Sequence, residues 1–183
     1  MIKITPWYKN KKILVSFVGV FIIFMMVLST LSIWKTDETT NQLKYKNHVF
    51  NKQGDQWVSY FNDKPVAFFY NPLELENLTM PSFTFFDKTY LAYDQHDIET
   101  ESFVIQRAFS ILQYSNIRPV LACYSEENCP DIPIINCTND NSLYIKYSND
   151  TNIYIEDKCL VLEGTQDYQL KYLDKIFYNL LGI

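Results

Sequence analysis

At 183 residues the chain has room for one ordinary domain and an accessory segment. Hydrophobic residues make up 48% and aromatics 16%, enough to build a packed core and too many for wholesale disorder. A net charge of −5, with Arg107 and Arg118 as the two arginines, argues against binding nucleic acid through its phosphates.

The first element is apolar. Ile13 to Trp34 reads ILVSFVGVFIIFMMVLSTLSIW and carries no charge. As a helix it would extend ~33 Å at ~1.5 Å per residue, against a hydrocarbon core of ~30 Å. Trp7 and Tyr8 before it and Trp34 at its end suit the two membrane interfaces. Lys3, Lys9, Lys11 and Lys12 precede it, whereas Lys35 is followed by Asp37 and Glu38. This bias places residues 1–12 in the cytoplasm, a span at 13–34 in the lipid bilayer, and residues 36–183 outside the cell. Lys44 and Lys46 oppose it in part. A cleavable signal peptide has a shorter apolar region and a small-residue exit, which Ser29-Thr30-Leu31-Ser32 matches poorly. A type IV pilin would carry Gly before the run and Glu within it; neither is present. Gly19 is the lone glycine of the span, so no GxxxG dimerisation face is specified. The simplest reading is a plain anchor.

Residues 35–54 are polar and weakly periodic, the pattern of a juxtamembrane stalk. The domain proper is then expected at 55–183. QWVSYF and PVAFFY flank Asn62-Asp63-Lys64 and predict a hairpin, with Pro65 opening its second strand. SFTFF and TYLAYD, separated by Asp87-Lys88, suggest another pair. From Ile98 to Ser115 the pattern turns helical: Val104, Ala108, Ile111, Leu112 and Ser115 share one face. Asp97 is its expected N-cap, with Glu99 and Glu101 in the first turn, and Asn116 its end. RPVLAC returns as a strand. SLYIKY and NIYIED predict a second hairpin around residues 148–151, and CLVLEG adds a strand that Gly164 breaks. Thr165 should cap a last helix with Leu173, Ile176, Phe177 and Leu180 on one face, ended by Gly182. The sum is an α+β domain: a mostly antiparallel sheet with two packed helices behind an N-terminal transmembrane helix.

The cysteines run C-x5-C-x7-C-x21-C, from Cys123 through Cys129 and Cys137 to Cys159. Structural zinc sites bring their ligands in close C-x2–4-C pairs, and neither short interval fits. No C-x-x-C redox pair occurs. An even number of cysteines in an outward-facing segment reads as two disulfides. Three pairings are open; we favour Cys123–Cys129 with Cys137–Cys159, the longer loop being worth ~3 kcal/mol by loop-closure entropy. The sequons at Asn77, Asn136 and Asn149 agree with that side of the membrane as glycosylation candidates. Asn149, at an expected turn, is the best placed, while Asn136 abuts a bridged cysteine.

No HExxH, GxSxG, P-loop or GxGxxG is present, and four glycines leave no phosphate-cradling loop. No catalytic residue, metal ligand or cofactor is therefore assigned. His96 lies between Asp94 and Asp97 and would suit a base or metal ligand, but a polar turn before a helix is the simpler reading. The pairs Glu74/Glu76, Glu99/Glu101 and Glu126/Glu127 match no catalytic or calcium-loop pattern and read as solvated charge. The aromatics Phe68, Phe69, Phe83, Phe85, Phe86 and Tyr90 read first as core, leaving Tyr60, Tyr70 and Tyr93 outward for contacts with protein or glycan.

The stretch CPDIPIINC, the strand KCLVLEG and the terminal YNLLGI resemble a group of single-span archaeal membrane proteins of small, symbiont-like genomes. The resemblance covers roughly residues 55–183 and implies architecture and lineage; it carries no activity and transfers no functional residue. Together these readings point to a membrane-anchored, non-catalytic interaction or structural module of the cell envelope, docking on a membrane or envelope protein. The alternatives are an outward-facing hydrolase or glycan-processing enzyme using the carboxylates or His96, and a pilin-like surface subunit.

Overall fold

The computed structural model describes residues 19–27, 41–93, 98–127 and 129–183. Of the expected span, residues 19–27 are helical (α1), and every side chain from Val20 to Val27 is exposed. The rest of that segment, the expected cytoplasmic residues 1–12, Asp97 as N-cap and His96 lie outside the described residues. No helix among the described residues is long and apolar enough to cross a membrane.

Strands begin earlier than the composition suggests. β1 (Gln42–Tyr45), β2 (His48–Gln53), β3 (Gln56–Phe61) and β4 (Lys64–Phe68) form an antiparallel sheet in chain order. Residues 42–53, read as stalk, are thus half of this sheet, and the compact unit starts at Gln42. They escaped notice because a single buried residue anchors the strand: Phe50 is fully buried while Val49 on the other face and Lys52 near the strand end are exposed. The predicted hairpin is present. Asn62 and Asp63 both take positive φ, 50° and 61°, the backbone that a two-residue turn between twisted strands requires.

The second sheet departs from expectation. β5 (Lys88–Tyr93), β6 (Arg118–Cys123), β7 (Ser142–Tyr147), β8 (Asn152–Glu156) and β9 (Cys159–Gly164) lie in the order β6-β5-β7-β9-β8. Its pairs β6-β5, β5-β7 and β7-β9 are parallel, and only β8-β9 is antiparallel. One mostly antiparallel sheet is therefore corrected to two sheets, one antiparallel and one mixed. SLYIKY and NIYIED do not pair with each other. β8 turns back on β9 instead, with Asp157 at φ 50°. The reason is burial: β7 is buried from Ser142 to Ile145 and β9 from Cys159 to Leu162, so both need cover on two faces, as parallel strands do. SFTFF is not a strand either. Its backbone is held by one side chain, since Asn141 accepts from the Phe86 N–H (3.2 Å) and donates to the Thr84 carbonyl (3.1 Å).

Both predicted helices are present, α2 at Ile98–Tyr114 and α3 at Gln166–Leu180. Val104, Ala108, Ile111 and Leu112 of α2 and Leu173, Ile176 and Phe177 of α3 are buried as their spacing implies. Asn116 (φ 60°) ends α2, and Thr165 holds the N-cap of α3 without a side-chain bond. The main core joins the inner face of the antiparallel sheet, both helices, and Leu91, Leu143, Ile145, Leu160 and Leu162 of the mixed sheet. Phe68 stacks on Tyr178 of α3 at 4.4 Å and meets Phe177 at 5.3 Å. The opposite face of the mixed sheet has its own small core: Ala92, Ala122, Tyr144, Cys159 and Val161, with Ile135 and Cys137.

Gly164 joins β9 to α3 at φ 152°, where a Cβ would stand 2.7 Å from the Tyr168 ring. Gly164→Ala should cost about 1–3 kcal/mol through this overlap. Urea unfolding measures it; an unchanged midpoint would mean the ring moves aside freely.

Candidate functional site

The four cysteines form the favoured pairs, Cys123–Cys129 and Cys137–Cys159. Cys123 ends β6 and Cys159 opens β9, so both bridges tie the loop between β6 and β7 to the sheet beneath it. Backbone bonds add to the hold: Cys123 N–H donates to Pro133 (2.8 Å), and Ile135 N–H to Cys123 (2.9 Å). Tyr124 lies flat on Tyr144 at 4.2 Å. Where α/β sheets use helices to cover a second face, this one uses a stapled loop.

Asn77, Asn136 and Asn149 are all exposed. The Asn136 side-chain oxygen accepts the Thr138 N–H at 3.0 Å, while Cys137 between them is buried and bridged.

The carboxylates are dispersed. Glu74 accepts the Asn71 N–H (3.0 Å) and Asn71 accepts the Glu74 N–H (3.1 Å), a reciprocal cap on the turn that follows. Glu76, Glu126 and Glu127 are exposed, and the side chains of Glu99 and Glu101 lie outside the described residues. His48 packs on Phe61 at 4.7 Å. Among the described residues no three His, Cys, Asp or Glu side chains could hold a metal ion.

The strongest polar cluster is one that motif reading missed. Asp174 sits on the apolar stripe of α3 with Leu170, Leu173 and Phe177, and it is fully buried. It accepts the N–H groups of Phe69 (2.6 Å) and Tyr70 (3.1 Å), and Arg107 Nη2 at 2.7 Å. The same Nη2 donates to the Ala67 carbonyl at 2.7 Å, and the guanidinium lies 5.5 Å from the Phe69 ring and 5.6 Å from that of Phe177. These bonds satisfy the Ala67 carbonyl of β4, an edge strand, and the two N–H groups just past its end. Around them, Tyr178 donates to the Tyr70 carbonyl (2.8 Å), Tyr70 donates to Asp167, and Lys171 pairs with Asp167 at 2.6 Å. The signal for this hub was a carboxylate on a buried helix stripe in a chain with two arginines.

Burial drives the Asp174 carboxyl above its ordinary 3.8, outweighing Arg107 and the two backbone donors. Hydrogen bonds from Lys171 and Tyr70 draw Asp167 below the same value. The signs oppose. Asp174 contributes stability that is complete below its unfolded pKa and lost as pH rises through the folded one; Asp167 contributes stability lost as pH falls. Asp167 is exposed and screened by solvent.

The remaining feature is the outer face of the antiparallel sheet. Cross-strand register places Val49, Val58, Tyr60, Pro65 and Ala67 together on it, beside Lys44 and Asn51. Tyr60 is 62% and Val49 40% exposed. Of the other two tyrosines expected outward, Tyr70 and Tyr93 are half-buried. Phe68 is fully buried as expected for core, but Phe86 is 58% exposed. No family model, curated protein or solved structure matches this chain.

Proposed function

We propose that the chain is a membrane-anchored, non-catalytic interaction module of the cell envelope, held in the bilayer by residues 13–34. Its N-terminus lies in the cytoplasm and its disulfide-stapled domain outside the cell, where a membrane or envelope protein docks on it. The observation that carries this reading is the outer face of the antiparallel sheet. Val49, Val58, Tyr60, Pro65 and Ala67 form one apolar stripe across its strands, with a tyrosine at its most exposed point. Apolar area with an aromatic anchor is what protein interfaces use, and polar neighbours rim it. This sheet is also the part of the domain closest in sequence to the apolar run. Two disulfides and three exposed sequons suit an oxidising, extracytoplasmic setting.

A photo-crosslinking residue at position 60 tests it in native membranes, with position 126, on the loop over the other sheet, as control. A stoichiometric adduct from position 60 alone is expected. Recovery of the monomer only, or equal labelling from both positions, would count against the reading.

A further inference from the structure

Arg107 does not spend all its donors on the buried hub. It also lines a groove of about 230 Å3 with Gln56, Phe69, Phe103, Gln106 and Ser110. Phe103, Gln106, Arg107 and Ser110 follow one another at i, i+3, i+4 and i+7, a single stripe of α2. Phe69 and Phe103 meet edge to face at 5.5 Å and give the groove an aromatic wall.

Among the described residues the guanidinium makes its hydrogen bonds through Nη2, to Ala67 and Asp174. Neither Nη1 nor Nε has an acceptor among the described residues; Nε is buried, so Nη1 is the donor a ligand can reach. Asp174 is not part of the lining, and its charge is divided among three donors, two of them backbone N–H groups. The groove therefore offers the open side of a guanidinium whose far side is ion-paired to Asp174 at 2.7 Å, two carboxamides, a Ser110 hydroxyl that donates to the Gln106 carbonyl (2.8 Å), two phenyl rings, and no carboxylate. A guanidinium with donors to spare recognises a planar oxyanion, and flat rings beside it favour a flat apolar body.

From this juxtaposition we infer that the groove binds a small aromatic carboxylate. The ligand's carboxylate accepts hydrogen bonds from Arg107 and the carboxamides, and its ring packs on Phe69 and Phe103. The inference is independent of the docking role proposed for the outer sheet face.

Benzoate is the probe, titrated into the 15N-labelled full chain while the Arg107 Nε–H and the Gln56 and Gln106 side-chain amides are followed by NMR. Benzamide, its neutral counterpart, serves as control. Saturable shifts with benzoate are expected, and binding of benzamide weaker by about tenfold, the cost of losing charge-assisted bonds. Arg107 supports the fold, so the variant is Gln106→Glu, at an exposed position that adds a carboxylate to the groove. It should weaken benzoate by about tenfold with an unchanged melting temperature. Shifts that do not saturate, equal binding of benzoate and benzamide, or undiminished binding by Gln106→Glu would each overturn the inference.

Discussion

Asp174→Asn should destabilise the domain by about 3–5 kcal/mol. The carboxylate is an acceptor at both oxygens, and three donors converge on it: Arg107 and the Phe69 and Tyr70 N–H groups. An asparagine of the same shape turns one oxygen into an NH2. Whichever way the amide is set, donor then faces donor, and Arg107 remains in the interior without its counter-charge. The upward drive on the Asp174 carboxyl shows that burying this charge is itself unfavourable. The pair is thus a poor source of net stability and a costly one to break from one side. Replacing both members, Asp174→Leu with Arg107→Met, should recover most of the loss. Urea unfolding of the two single variants and the double variant closes the cycle. A loss below about 1 kcal/mol for Asp174→Asn would show that the hub is dispensable.

Removing the Cys137–Cys159 bridge, as Cys137→Ser with Cys159→Ser, should cost about 3 kcal/mol. Its partners stand 22 positions apart, against 6 for Cys123–Cys129, whose removal should cost nearer 2 kcal/mol on the same loop-entropy reasoning. The loss should also be local. Cys159 is fully buried in the small second core beside Tyr144 and Val161, so opening this bridge uncovers the face of the sheet that no helix among the described residues protects. Hydrogen exchange should accelerate in β7, β9 and the stapled loop, while α2 and α3, packed in the main core, keep their protection. Uniform acceleration over the whole domain would mean that the two cores melt as one unit, contrary to this account.

The elements that could be read ahead of the structure are those whose cause is local. The faces of α2 and α3 follow from a 3.6-residue period, and Asn116 and Gly182 end them with positive φ, 60° and 78°. Asn62-Asp63 carries its turn in two residues, and the cysteine intervals favoured the pairing that the structure holds. What failed was partner choice between distant segments. SLYIKY is as good a hairpin strand as a central parallel one until β5 and β9 flank it, and residues 42–53 look like a linker until Phe50 has Phe68 and Tyr178 to meet.

The hub shows the same division most clearly. Asp174 and Arg107 stand 67 positions apart, and Asp174 is 105 from the Phe69 N–H it accepts. Nothing in the spacing of either residue announces the other. Periodicity, turn chemistry and cysteine spacing are written along the chain because neighbours in sequence are neighbours in space. Which strand lies beside which, and which carboxylate can be buried, is decided only when a core closes, because there every buried face and every buried charge must find its partner at once.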